Sequence, residues 1–221
     1  MALSKVRGSN LKSPGPVKTG ASEVAQHIAH VAAHLFATQG YDATSVRTIV
    51  EAAGVTKPTL YYHYGSKEGL AQALVIVPMS SLNQDLRTIL ESVPDPVEML
   101  ERTFEAHFAW CREDPDRSRF IFALFFGPLA NGLMAEMEKF KGGMSCVMTE
   151  IVQQAADAGV VDPDRVEAFG TACRGLIIIS IMDFLYKKRD LGPGLAARLV
   201  GDLLGGFRKP GGPAGSHDNG G

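Results

Sequence analysis

Thr56, Lys57, Thr59, Tyr61, Tyr62 and His63 bring hydroxyls, a cation and an imidazole together in one short run of the chain. Side chains of these types donate to phosphate oxygens and exchange hydrogen bonds with the edges of nucleic-acid bases. Catalysis would need a different constellation. The sequence holds no G-x-S-x-G elbow, phosphate-binding glycine loop or H-E-x-x-H motif, so no catalytic residue is assigned and an enzyme is not expected. His27, His30 and His34 share one face of a helix at i, i+3 and i+7, a spacing open to a metal. With no cysteine or carboxylate cluster to complete the site, they read as a solvated face, and no metal or cofactor is expected. Cys111, Cys146 and Cys173 are odd in number, widely spaced and in no C-x-x-C pair, which fits buried thiols in a reducing cytoplasm. Gly192-Pro193-Gly194-Leu195-Ala196-Ala197 satisfies a loose dinucleotide fingerprint, yet no strand precedes it, and it reads as a loop before a helix.

Residues that could read DNA need a rigid element beneath them. Val46, Ile49, Val50 and Ala53 recur at i, i+3, i+4 and i+7, the stripe of a short helix that starts after Thr44 and stops at Gly54. Ala53-Gly54-Val55 then makes a tight turn, and Thr56 to Tyr62 forms a second short helix anchored by Leu60. Either Thr56 or Lys57 can cap that helix, because Pro58 pushes Lys57 towards an extended conformation. Ahead of this pair, Ser22 and Glu23 open a helix with Val24, Ile28, Val31, Ala32, Leu35 and Phe36 on its buried face, closed by Gly40. Behind it, Ser66 and Lys67 open a fourth helix with Leu70, Ala73, Leu74 and Val77 as its stripe and Pro78 as a kink or interruption. Helices are also expected over Val97 to Glu113, between Asp114-Pro115 and Phe126, through most of Leu129 to Ala158, over Asp164 to Tyr186 and over Leu195 to Phe207. Period-2 alternation is absent, so the fold class is all-α.

The 221 residues divide into a basic arm at 1–20 expected to be disordered, a helix-turn-helix domain at 21–66, a helical body at 67–207 and a Gly/Pro tail at 208–221. Charge follows this division. The formal total is −2, but residues 1–67 carry seven basic and three acidic side chains, a net +4, leaving −6 for the remainder. A basic front on an acidic body suits a DNA reader that keeps its second domain away from phosphate. Residues 1–20 lack a cationic start followed by an apolar core, so export is not expected. The longest apolar stretch, Gly175 to Tyr186, falls short of the ~20 residues of a membrane span and is interrupted by Asp183.

Phe36-Ala37-Thr38-Gln39-Gly40-Tyr41-Asp42-Ala43-Thr44-Ser45-Val46-Arg47-Thr48-Ile49, then Ala53-Gly54-Val55-Thr56-Lys57-Pro58-Thr59-Leu60-Tyr61-Tyr62-His63-Tyr64 and Ser66-Lys67-Glu68, resembles the tetracycline-repressor (TetR) family over about Ser22 to Leu74. The resemblance implies an N-terminal three-helix DNA-binding domain followed by a helical bundle for ligand binding and dimerisation. It implies DNA contacts from Thr44, Thr56, Lys57, Thr59, Tyr61, Tyr62, His63 and Lys67, with Ser45 and Arg47 beside them. Thr44 and Lys67, at helix starts, would anchor phosphates, while Tyr64 packs mainly in the core. Pro58 stands where many relatives carry a small or flexible residue.

The same resemblance implies a cavity for a small effector. Aromatic residues crowd the middle of the chain, and a largely apolar ligand would suit Phe104, His107, Phe108, Cys111, Phe122, Phe125, Phe126, Met144 and Met148. The long helix at 164–186 is apolar nearly all round and carries small residues. Gly175, Ile178, Ile179 and Met182, with Leu199 and Leu203, would form a two-fold four-helix dimer interface like that of the family. The function implied is that of a cytoplasmic homodimeric repressor on palindromic operator DNA, released by an unidentified small-molecule effector, with no membrane partner. An activator or ligand-free DNA binder of the same fold, and a helical carrier or enzyme with a vestigial DNA-binding domain, are the alternatives.

Overall fold

The computed structural model describes residues 22–126 and 147–207, and every regular element among them is helical. The expectations for the arm at 1–20, the tail at 208–221, Met144 and Cys146 lie outside the described residues. The chain opens with α1 (Glu23–Gln39), α2 (Val46–Ala53) and α3 (Lys57–Tyr64), and continues through α4 (Lys67–Ser92), α5 (Pro96–Glu113) and α6 (Pro115–Phe126). After α7, described over 147–157, a single 3-10 turn at Pro163–Arg165 leads into α8 (Val166–Lys187), and α9 (Leu195–Phe207) ends the described chain.

Side-chain caps set the starts of the first five helices. Ser22, Ser45, Thr56, Ser66 and Asp95 each accept a hydrogen bond from the backbone N–H three residues on, which satisfies a donor that the helix itself leaves free. Gly69, in the first turn of α4, is demanded by space: a Cβ there would lie 2.1 Å from the Tyr64 carbonyl oxygen. The chain therefore turns from α3 into α4 more tightly than any other residue permits.

Two apolar cores share the molecule. The first gathers Ile28 and Phe36 of α1, Ile49 of α2, Leu60 of α3 and Leu70 and Leu74 of α4, and it also takes Phe120, Ile121 and Leu124 from α6. The second joins the rest of α4 to α5, α7, α8 and α9 around Phe104, Phe108, Ile151, Phe169 and Ile177. α4 passes from one to the other between Met79 and Leu82. Trp110 of α5 packs against both.

Three local expectations are corrected. Pro78 does not interrupt α4, which runs unbroken from Lys67 to Ser92. The proline forfeits one backbone bond to the Leu74 carbonyl, while the Trp110 indole N–H donates to the Pro78 carbonyl at 3.1 Å and ties α5 to the helix at that level. Val77 and Val24 are exposed, and the buried stripes run instead through Leu70, Ala71, Leu74 and Val75 in α4 and through Ala25, Ile28, Ala32 and Ala33 in α1. The apolar stretch near the C-terminus is longer than Gly175 to Tyr186. Pro163–Lys187 is long and apolar enough to cross a membrane by length and composition, because α8 buries one apolar stripe (Phe169, Cys173, Ile177, Ile181, Leu185) and exposes another.

Polar contacts also join the first core to the body. His34 of α1 pairs with Asp116 of α6 at 2.8 Å, Asp116 holds Arg119 at 2.7 Å, and Arg119 donates to the Leu185 carbonyl of α8 at 3.0 Å. Burial pushes the Asp116 carboxyl up, but the hydrogen bonds and charges of His34 and Arg119 outweigh it and hold the group below its ordinary value. The histidine row of α1 is thus not simply solvated: the His34 ring hydrogen-bonds Asp116, and the His27 ring meets the Ala53 carbonyl at 3.2 Å. Among the described residues no three His, Cys, Asp or Glu side chains gather as a metal would need.

Candidate nucleic-acid interface

The turn between α2 and α3 rests on Gly54, whose φ of 63° and ψ of 29° lie in the left-handed region, where a side chain costs about 1 kcal/mol. Its N–H closes α2, and the Val55 N–H bonds back to Val50 at 3.0 Å. α3 then departs with Leu60 wholly buried as its anchor. The cap left open by the sequence is Thr56, whose Oγ1 accepts from the Thr59 N–H at 3.3 Å. Lys57 is the first helical residue and Pro58 the second, where the missing N–H costs nothing and the fixed φ stiffens the helix start.

This geometry leaves a compact exposed face. Lys57 is exposed, Tyr62 is 83% exposed and Tyr61 46%. The half-buried His63 ring stands edge-on to Tyr62, 5.0 Å between centroids. Thr59 is half-buried, its hydroxyl paired with that of Thr56 at 2.8 Å. Ser45 caps α2 on the exposed side, and Arg47 pairs with Glu51 across one helical turn at 2.6 Å. Tyr64 turns inward as expected: half-buried, it donates its hydroxyl to the Ala25 carbonyl at 2.6 Å, and burial pushes its phenol up.

The two expected phosphate anchors are placed otherwise. Thr44 is fully buried, and its hydroxyl donates to the Gly40 carbonyl at 2.8 Å, because the loop from α1 folds back over it; Ser45 takes the helix start instead. Lys67 also points inward. Its Nζ donates to the Tyr41 and Thr44 carbonyls, each at 3.0 Å, and sits 4.1 Å from the centre of the Tyr41 ring. Burial and the neighbouring Glu68 push the Tyr41 phenol up to about 12. Tyr41, Glu68 and Lys67 thus form a bracket that fixes the α1–α2 loop to α4. Sequence reasoning gave Tyr41 and Glu68 no role, although both stand in the stretch that carries the family resemblance.

This bracket predicts a specific outcome for Lys67→Met, which keeps the apolar stem and removes the charged donor. Stability should fall by about 1.5–3 kcal/mol in urea denaturation, and any loss of DNA affinity should leave the salt dependence of binding unchanged. A salt slope lowered by about one unit would show instead that Lys67 reaches a phosphate.

Residues 28–74 match the family described as bacterial regulatory proteins, tetR family. The segment from α1 to the first turns of α4 is thus similar to that family. The HTH-type transcriptional repressor KstR2 of Mycobacterium tuberculosis (strain H37Rv) is 37% identical over 78 residues, 35% of this chain and 39% of that protein. The transcriptional activator FasR of Mycolicibacterium smegmatis is 33% identical over 91 residues, 41% of this chain and 42% of that protein. The chain thus spans about two fifths of the length of these curated relatives. Among solved structures, the TetR-family regulator PfmR from Thermus thermophilus superposes with a TM-score of 0.65 at 26% identity, over 80% of this chain and 94% of that one. The likeness in fold therefore extends well beyond the reading head.

In the body, the described residues expected to line an effector cavity divide between the second core, the first core and the surface. Phe104, Phe108, Cys111 and Met148 are buried in the second core. Phe122 packs against that core, Phe125 against the first, and Phe126 is 64% exposed. The reason is the position of α6 between the cores, which sends neighbouring aromatic side chains in opposite directions. His107 donates through Nδ1–H to the Thr103 carbonyl, 2.7 Å away, and burial holds its imidazole below the usual value. The residues expected at the dimer interface lie on one stripe of α8 and one of α9, the α9 pair packed against the second core. Gly175, Ile178 and Ile179 are exposed on α8, Met182 is half-buried there, and Leu199 and Leu203 are half-buried on α9. Tyr186, 54% exposed, extends the strip and was not anticipated.

Proposed function

We propose that the protein is a DNA-binding transcriptional regulator that grips a palindromic operator as a homodimer, a repressor released by a small, largely apolar effector. The observation that carries this reading is the α3 face: a helix stiffened by Pro58, capped by Thr56, anchored by Leu60, and presenting Lys57, Tyr61 and Tyr62 to solvent with the half-buried His63 beside them. Its eight residues suit insertion of the first turns into a major groove, where the cation and hydroxyls meet bases and phosphates. Ser45 and Arg47 are assigned to the flanking backbone. The exposed isoleucines of α8 support dimerisation, because an uncovered apolar strip of this kind is buried in an assembly. KstR2 is named as a repressor and FasR as an activator, so the sign of regulation has one alternative. The setting is the cytoplasm, where operator DNA lies.

Selection from random duplex DNA with the purified full chain tests the reading. Two inverted half-sites, separated centre to centre by about one helical turn of DNA or a multiple of it, are the expected consensus. No enrichment over input would sink the regulatory assignment.

A further inference from the structure

Two hydrogen bonds seat the start of α1 on the reading unit. The Tyr64 hydroxyl, at the end of α3, donates to the Ala25 carbonyl at 2.6 Å, and the His27 ring meets the Ala53 carbonyl, at the end of α2, at 3.2 Å. The chain that precedes Ser22 therefore joins the molecule beside the unit assigned to DNA. We propose that residues 1–20 bind the phosphate backbone of duplex DNA and supply most of the electrostatic affinity of each head. The proposal rests on the regulatory reading.

The folded head lacks the charge that DNA demands. Between residues 22 and 67, Arg47, Lys57 and Lys67 face an equal number of acids, Glu23, Asp42 and Glu51, so the net charge is zero. Lys67 is turned inward onto the Tyr41 and Thr44 carbonyls, and Arg47 is held by Glu51 at 2.6 Å. Among the described residues of the head, Lys57 is thus the one exposed cation that forms no ion pair. The rest of the chain, at −6, repels phosphate. A duplex carries one negative charge per about 1.7 Å of its axis, and binding draws affinity and salt dependence from each phosphate neutralised. Lys5, Arg7, Lys12 and Lys18 lie in residues 1–20 without a single acid, so the whole +4 of residues 1–67 resides there. Twenty residues reach at most about 70 Å, roughly two turns of duplex at about 34 Å each. Their cations can therefore meet phosphates outside the half-site that α3 occupies.

The test compares the full chain with a variant carrying Lys5→Gln, Arg7→Gln, Lys12→Gln and Lys18→Gln. Affinity is measured by fluorescence anisotropy over a series of salt concentrations, on the duplex recovered by selection and on one of arbitrary sequence and equal length. The substitutions should flatten the logarithmic salt slope by about two or more per head on both duplexes. At about 0.1 M salt they should weaken binding by about fiftyfold or more. The melting temperature and the selected consensus should stay as they are, because phosphate contacts carry no sequence information. A smaller fall in slope would overturn the proposal. So would a changed consensus, which would make the segment a reader of bases, or a lowered melting temperature, which would mean that it packs on the folded chain instead. An enriched palindrome with equal slopes for the two proteins defeats this proposal and leaves the regulatory reading standing. Loss of slope on the arbitrary duplex with no sequence enriched does the reverse, and absence of binding by the unsubstituted chain defeats both.

Discussion

A Phe120→Ala variant is expected to lose about 3–5 kcal/mol of unfolding free energy, the usual cost of removing a wholly buried phenylalanine and leaving part of its cavity open. Phe120 is 1% exposed, and its ring lies 4.9 Å from that of Phe36 and 6.3 Å from that of Tyr41. Although it belongs to α6, it fills the core beneath the reading head, and α6 is the most extensive neighbour of α1. The loss should appear in equilibrium urea denaturation. Phe122→Ala serves as the comparison, because its half-buried ring lies near Phe126 and leaves the first core intact. A cost below about 1 kcal/mol for Phe120→Ala would mean that α6 is not seated on α1 in solution.

Lys57→Ala should weaken operator binding by about 1–3 kcal/mol for each reading head. A two-fold dimer carries the change twice, so the combined effect is roughly a hundredfold or more. Thermal stability should not move, since Lys57 is exposed at the first position of α3. The pattern of the loss identifies the contact. If Lys57 reads a guanine edge, discrimination relaxes at one base pair in each half-site; if it meets a phosphate, every sequence weakens alike and the salt slope falls by about one per head. Unchanged affinity would remove Lys57 from the interface.

The reading head was legible in the sequence where its determinants are local. Val46, Ile49, Val50 and Ala53 lie on one stripe, Gly54 occupies the left-handed turn, and Leu60 anchors the next helix. Each follows from spacing within a few residues. The intramolecular partners of Thr44 and Lys67 were not legible, for the opposite reason. Their fates depend on backbone carbonyls that only the folded loop presents, those of Gly40 for the one and of Tyr41 and Thr44 for the other. Long separation hid more. Nothing near His34 points to Asp116, 82 residues away in sequence. The aromatic run of α6 looks like one cluster until the helix is seen to lie between two cores, and then Phe120 and Phe122 part company.

The presence of Phe120, Ile121 and Leu124 beneath the head has a practical side for anyone who exchanges parts between relatives. The reading head is not a detachable cassette. A head transplanted from another protein meets three large side chains shaped for Phe36 and its neighbours, and a head cut away loses them and exposes the apolar surface they covered. A chimaera that carries the matching face of α6 along with α1 to α3 should fold, whereas one joined at the start of α4 should need compensating changes at those three positions.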